Sequence, residues 1–159
     1  MSFSPQSRVW VYQSDRSFTN DEVQSLQKKL NEFTAQWKAH GHHLDAKADV
    51  LYNYFIVFFV DEASAGVTGC SIDASVRMVK EIEQEYGVDL FNRFNMAYRV
   101  DEKVVVTNKE DFETLINIKA IGPQTIVFNN MVQTLQEFQQ KWEVPFEQSW
   151  HSKVFAHLL

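Results

Sequence analysis

The chain has 159 residues, 45% of them hydrophobic and 23% charged, with a formal net charge of −6 and a pI near 5.3. That length fits one compact domain, 1–159, and the composition is that of an ordinary globular protein, so disorder and a membrane protein are not indicated. An acidic chain lacks the electrostatic footprint of a phosphate-backbone reader, which disfavours nucleic acid and anionic membrane as partners.

Aromatic residues are the unusual component, with 13 Phe, 5 Tyr and 4 Trp. Each buried ring removes a large apolar area from water, so a chain of this size can fill a substantial core. Cys70 is the single cysteine, so no intramolecular disulfide forms and nothing points to an oxidising compartment. The N-terminal residues show no basic region followed by an apolar one, and no apolar run approaches the roughly 20 residues needed to span a bilayer. The expected location is the cytoplasm.

Taken in chain order, Arg8–Gln13 is a short β-rich run that predicts a first strand. Thr19 with Glu22 three residues later has the capping-box spacing, and Val23, Leu26, Leu30, Phe33 and Trp37 follow on one helical face. This helix is expected to run to about Lys38 and stop near Gly41. Asp49 to Asp61 reads as one strand, whose apolar centre Tyr54–Val60 fits a central strand covered on both faces. Strand, helix and strand in that order suggest a right-handed parallel crossover.

A second helix is expected from about Ser71 to Gly87, burying Ile72, Val76, Val79, Ile82 and Tyr86. A hairpin around Asp101–Lys103 and a third helix capped by Asn108 come next. Thr125–Phe128 reads as a short strand, and a helix from about Asn130 to Trp142 presents Met131, Leu135, Phe138 and Trp142 on one face. The tail after Pro145 is expected to dock back through Phe146, Trp150, Phe155 and Leu158. No linker, low-complexity tract or solenoid-period repeat divides the chain.

Several chemistries are missing. There is no P-loop lysine, no G-x-G-x-x-G, no G-x-S-x-G elbow, no H-E-x-x-H and no paired C-x-x-C. A cysteine-phosphatase loop needs arginine six positions after the cysteine, where Val76 stands.

Four constellations remain. Gly66–Asp73 joins the apolar strand to the second helix, the place where open α/β sheets collect ligands. There Cys70 is a candidate nucleophile, Ser71 and the amides near Gly69 candidate anion holders, Asp61 or Glu62 a proton carrier, and Asp73 part of the rim. The structural alternative makes Ser71 a helix cap, Asp73 a dipole partner and Cys70 a small filler.

His40-Gly-His-His43 suggests either a metal site or a helix terminus, and the spacing matches no specific zinc pattern, so no metal and no cofactor are expected. Ser149-Trp150-His151 suggests either a pocket wall with His151 as proton carrier or plain tail packing. Arg16, after the first strand, is either an anion ligand or half of a surface ion pair with Asp15 or Asp21. Parallel first and second strands would bring Arg16, Asp61, Cys70 and the Trp150–His151 tail to one rim.

Ser7–Gln13, Gly69–Asp73, Val127–Asn130 and Glu147–His151 together resemble a family of small uncharacterised bacterial proteins often labelled "ABC transporter ATPase". The resemblance spans nearly the whole chain and transfers no site. Val57–Glu62 looks like the carboxylate-ending strand of such an ATPase. Without the phosphate cradle, ATP hydrolysis by that route is rejected.

The expected fold is α+β, a mixed sheet of about four or five strands with helices against it; the alternative is a three-layer α/β sandwich. The leading expectation is a domain that binds a small molecule or protein at the Asp61–Asp73 rim. A thiol enzyme built on Cys70 and His151, and a homo-oligomeric structural protein, are the other two.

Overall fold

The computed structural model describes residues 3–158. Asp45–Leu51 (β4) and Phe55–Asp61 (β5) form an antiparallel hairpin, with Leu51 opposite Phe55 and Asp45 opposite Asp61. The single long strand expected over 49–61 is thus two strands. Tyr52 and Asn53 both take positive φ, 53° and 61°, and fold the chain back inside an apolar run that carries no glycine. Arg8–Gln13 (β1) lies on the other side of β5, also antiparallel, with Arg8 opposite Val60 and Gln13 opposite Phe55. No parallel crossover forms. The sheet order is β1-β5-β4.

Between β1 and β4 runs Asn20–Gln36 (α1). Thr19 Oγ1 accepts the Glu22 amide at 3.2 Å and the Glu22 carboxylate accepts the Thr19 amide at 2.9 Å, the expected capping box. The helix ends before Lys38. Lys38–Ala39 (β2) and His42–His43 (β3) form a small hairpin turned by His40 and Gly41, with φ of 52° and 79°. His40 therefore sits in a two-residue turn of the mirror-image type, where Gly41 bears the left-handed backbone without a Cβ clash, and His42 and His43 follow in the return strand.

Gly69–Tyr86 (α2) begins at an N-cap of Thr68 and ends at Gly87, whose φ of 64° is the left-handed stop common at helix ends. Its buried face is Ser71, Ser75, Val79 and Ile82, rotated from the face expected through Ile72 and Val76. Leu26 and Leu30 of α1 meet Val79 and Ile82 of α2 and the Ile56, Phe58 and Val60 face of β5 in one apolar cluster.

Met96–Val100 (β6) and Lys103–Thr107 (β7) make the expected hairpin. Lys109–Asn117 (α3) follows its Asn108 cap. Ile126–Phe128 (β8) and Glu143–Pro145 (β9), the second unforeseen, complete an antiparallel sheet of order β7-β6-β8-β9.

The helix expected over 130–142 is shorter, Leu135–Lys141 (α4), because Thr134 and Glu137 form its N-terminal cap. Residues 130–134 instead run beside β1. Val9 donates to the Gln133 carbonyl at 3.0 Å, and Leu135 donates to the Ser7 carbonyl at 2.8 Å. Met131, expected in the core, is exposed. The tail docks as expected, through the buried Phe146 and Phe155 and the short helix His151–Val154 (α5).

The fold is α+β, in four layers. Alternation along β5 sends Ile56, Phe58 and Val60 toward α1 and α2, and Phe55, Val57 and Phe59 toward the second sheet. There they meet Ala97, Phe128 and Trp142. The second sheet turns Met96, Tyr98, Val127 and Val144 the other way, onto Phe112 of α3 and Phe155 beside α5. The mixed single sheet and the three-layer sandwich both give way to two antiparallel sheets packed face to face, each backed by helices.

Both outer edges of the first sheet are partly occupied. Gln133 and Leu135 pair with β1 as described, and on β4 the Gln27 side-chain amide donates to the Ala48 carbonyl at 2.7 Å and accepts the Val50 amide at 3.1 Å.

Candidate functional site

Antiparallel pairing separates the residues expected to converge. The end of β1 lies beside the start of β5, so Arg16 and Asp61 are at opposite ends of the sheet. Arg16 is engaged there. Its guanidinium holds Glu22 through two hydrogen bonds of 2.9 Å and donates to the Ser17 carbonyl at 3.0 Å and the Tyr86 carbonyl at 2.5 Å. This fork ties the start of α1 to the end of α2 and, with the Thr19 amide, holds the Glu22 carboxyl down to about 2. Asp61 accepts the amides of Ser4 and Ala63, each at 3.0 Å, and these bonds hold its pKa below the ordinary aspartate value.

Ser71 is also occupied. Its hydroxyl accepts the Thr68 amide at 2.7 Å and donates to the Thr68 carbonyl at 2.9 Å, so it belongs to the capping box and holds no anion. Asp73 is exposed on the outside of α2. Gly69, Cys70 and Ser71 do line an open depression of about 860 Å³ between α1 and α2, together with Trp37 and His40. His151 is not there. It lies beneath the second sheet, so the Cys70–His151 pairing required by the thiol enzyme is not made. Iodoacetamide is expected to alkylate the exposed Cys70 in the folded protein, and Cys70→Ala to change stability by no more than about 0.5 kcal/mol. Alkylation that requires denaturant contradicts this placement.

A second concave region gathers residues from all parts of the fold. A groove of about 820 Å³ is bounded by β1 (Arg8 to Tyr12), the 93–96 segment, the 130–134 segment, Trp150, and Val154 of α5. Behind it lies a smaller chamber of about 120 Å³ lined by Tyr12, Gln13, Asn92, Asn95, Asn130 and His151, among others. Val11, Tyr12, Arg93, Asn130 and Trp150 line both.

The groove's mouth is apolar, with Phe94 66% and Met131 65% exposed and Val154 half-exposed beside them. Its inner end is polar and held rigid. Gln13 Nε2 donates to the Asn95 carbonyl at 3.0 Å, Asn130 Nδ2 to Gln13 Oε1 at 2.8 Å, and Trp142 Nε1 to Asn130 Oδ1 at 2.9 Å. This chain of amides fixes the chamber wall across both sheets.

Trp150 and His151 stack with ring centroids 3.8 Å apart. His151 is 1% exposed, and its Nδ1 shares a 2.7 Å hydrogen bond with the Ser149 hydroxyl. Burial pushes its pKa down to about 4, so the ring is neutral at pH 7. Trp150 Nε1–H is buried with no hydrogen-bond partner among the described residues. Buried indole N–H groups ordinarily find an acceptor.

His42 and His43 are exposed, and no group of three or more metal-binding side chains occurs among the described residues. No helix there is long and apolar enough to cross a membrane. No family model, curated protein or solved structure matches the chain.

Of the residues singled out in the sequence, Trp150 and His151 line this region, whereas Arg16, Asp61, Gly69, Cys70, Ser71 and Asp73 do not. Arg93, Phe94, Lys109, Met131 and Val154 were missed. One signal was available: Thr134-Leu-Gln-Glu137 has capping-box spacing, which starts α4 late and frees 130–134 to form a wall.

Proposed function

We propose that this chain is a binding domain that takes a small molecule in the groove beside β1 and α5, rather than at the Asp61–Asp73 rim. The supporting observation is the pairing of an apolar mouth with a polar chamber whose wall is fixed by the Gln13–Asn130–Trp142 chain of hydrogen bonds. Small-molecule sites combine a largely apolar cleft of roughly 300–1,000 Å³ with a few fixed polar groups, and this groove has that size and make-up. The binding reading needs no nucleophile. The hydroxyl nearest His151, that of Ser149, is buried and spent on the ring.

The indole N–H resonance of Trp150 reports directly on occupancy. In a screen of small aromatic fragments, neutral and charged, bound compounds are expected to shift that resonance, and Val154→Asp is expected to abolish the shift while the fold persists. Fragments that perturb only the α1–α2 depression, around Trp37 and Cys70, return the binding function to the rim.

A further inference from the structure

The groove's charge names its ligand. We infer that the occupant is an organic acid, with an apolar body against the mouth and a carboxylate held by Arg93. This rests on the groove being the binding site.

The groove walls carry Arg8, Arg93 and Lys109 and no aspartate or glutamate. The whole chain has 21 acidic residues against 15 basic ones, so a wall with three cations and no carboxylate runs against its composition. Two of the cations have only loose carboxylate partners: Arg8, which also lies over the Trp10 ring at 4.9 Å, is 3.9 Å from Glu62, and Lys109 is 3.9 Å from Glu113. Arg93 makes no ion pair or side-chain hydrogen bond among the described residues. It also borders both the groove and the inner chamber.

A planar guanidinium presents paired N–H donors that match the two oxygens of a carboxylate. Arg8 and Lys109 on the same walls add positive charge that favours an anion over a cation. The apolar mouth sets the rest of the molecule. Phe94, Met131 and Val154 favour a hydrocarbon or aromatic body over a sugar or a polyphosphate.

Three probes sharing one ring and differing in charge test this: 2-naphthoate, 2-naphthamide and 2-naphthylmethylamine. Each is titrated by calorimetry and by the Trp150 indole resonance. Naphthoate is expected to bind about tenfold or more tightly than the amide, the gain typical of a charge-assisted contact, and the amine is expected to bind least. Arg93→Glu should erase the preference for the acid while leaving amide binding in place. Arg93 is exposed, so the fold should survive, and Lys109→Glu gives an independent second check. Equal binding of all three, or tighter binding of the amine, overturns the acid and leaves the groove as a site. No shift of the indole resonance with any probe overturns both.

Discussion

Phe55→Ala is expected to lower stability by about 3–5 kcal/mol, the range for deleting a large ring from a packed core. Phe55 is fully buried on β5, at the meeting of the two sheets. Its ring centroid lies 4.9 Å from that of Phe128 and 4.9 Å from that of Trp142, and Tyr52 approaches from the hairpin turn at 6.4 Å. Each neighbour is itself held, Trp142 by its bond to Asn130 and Tyr52 by its hydroxyl donating to Glu143 at 2.6 Å. The surroundings therefore collapse poorly into the void, and the cost falls at the upper end.

Small domains have only about 5–15 kcal/mol of net stability, so this one change removes a large part of it. Denaturant unfolding followed by circular dichroism measures the loss as a lower midpoint at unchanged slope. Phe94→Ala is the internal contrast. It removes the same ring from an exposed site and should move stability by no more than about 0.5 kcal/mol while weakening ligand binding. A Phe55→Ala cost near that of Phe94→Ala contradicts the two-sheet interface.

Acid is expected to weaken the fold through His151. Burial lowers its folded pKa to about 4 from an ordinary value of 6.5. Between those values the unfolded chain binds a proton that the folded chain refuses, so unfolding takes up protons and stability falls as pH drops from about 6.5 to about 4. The loss is complete below the lower value and on the order of 3 kcal/mol.

The ring packs near Phe112 and Phe146 under the stacked Trp150, an apolar setting that disfavours its charged form. His151→Gln keeps a polar partner for Ser149 and removes the titration. Its stability should change less over this window than that of the native chain, whatever its absolute value at pH 7. Parallel pH profiles for the two proteins would falsify the assignment of the acid sensitivity to His151.

Much of the helical structure was legible because caps are local. Thr19 with Glu22, Asn108 and Gly87 each act within a few residues of chain, and each appears where the spacing placed it. The double burial of Phe55–Val60 was legible too, since an apolar residue at every position has no face to spare for water. What covers the second face was not legible. A helix and a sheet ask the same of Phe55, Val57 and Phe59, and only the long-range pairing of β6 and β8 decides between them.

Strand direction failed for a related reason. The turn at Tyr52–Asn53 uses neither glycine nor proline, so the hairpin was hidden in what read as one strand, and a parallel crossover followed from that miscount. The candidate site inherited the error. Trp150 and His151 were found because a Trp-His pair is conspicuous anywhere. Arg93 and Phe94 lie in a segment without motif, Lys109 follows a cap that speaks only for its helix, and their meeting with Trp150 is a product of tertiary packing.

The occupied edges of the first sheet bear on how the chain behaves in a crowded solution. A three-stranded sheet with β5 at its centre and β-rich flanks offers two borders on which a second chain can template itself. Here the Gln27 amide fills the space a foreign strand would need on β4, and the stretch leading into α4 occupies the start of β1. Neither feature adds much to the core. Their effect is to leave an intruding strand few free partners, so the hazard of a run as apolar as Phe55–Val60 is confined to the time before α1 and residues 130–134 have docked.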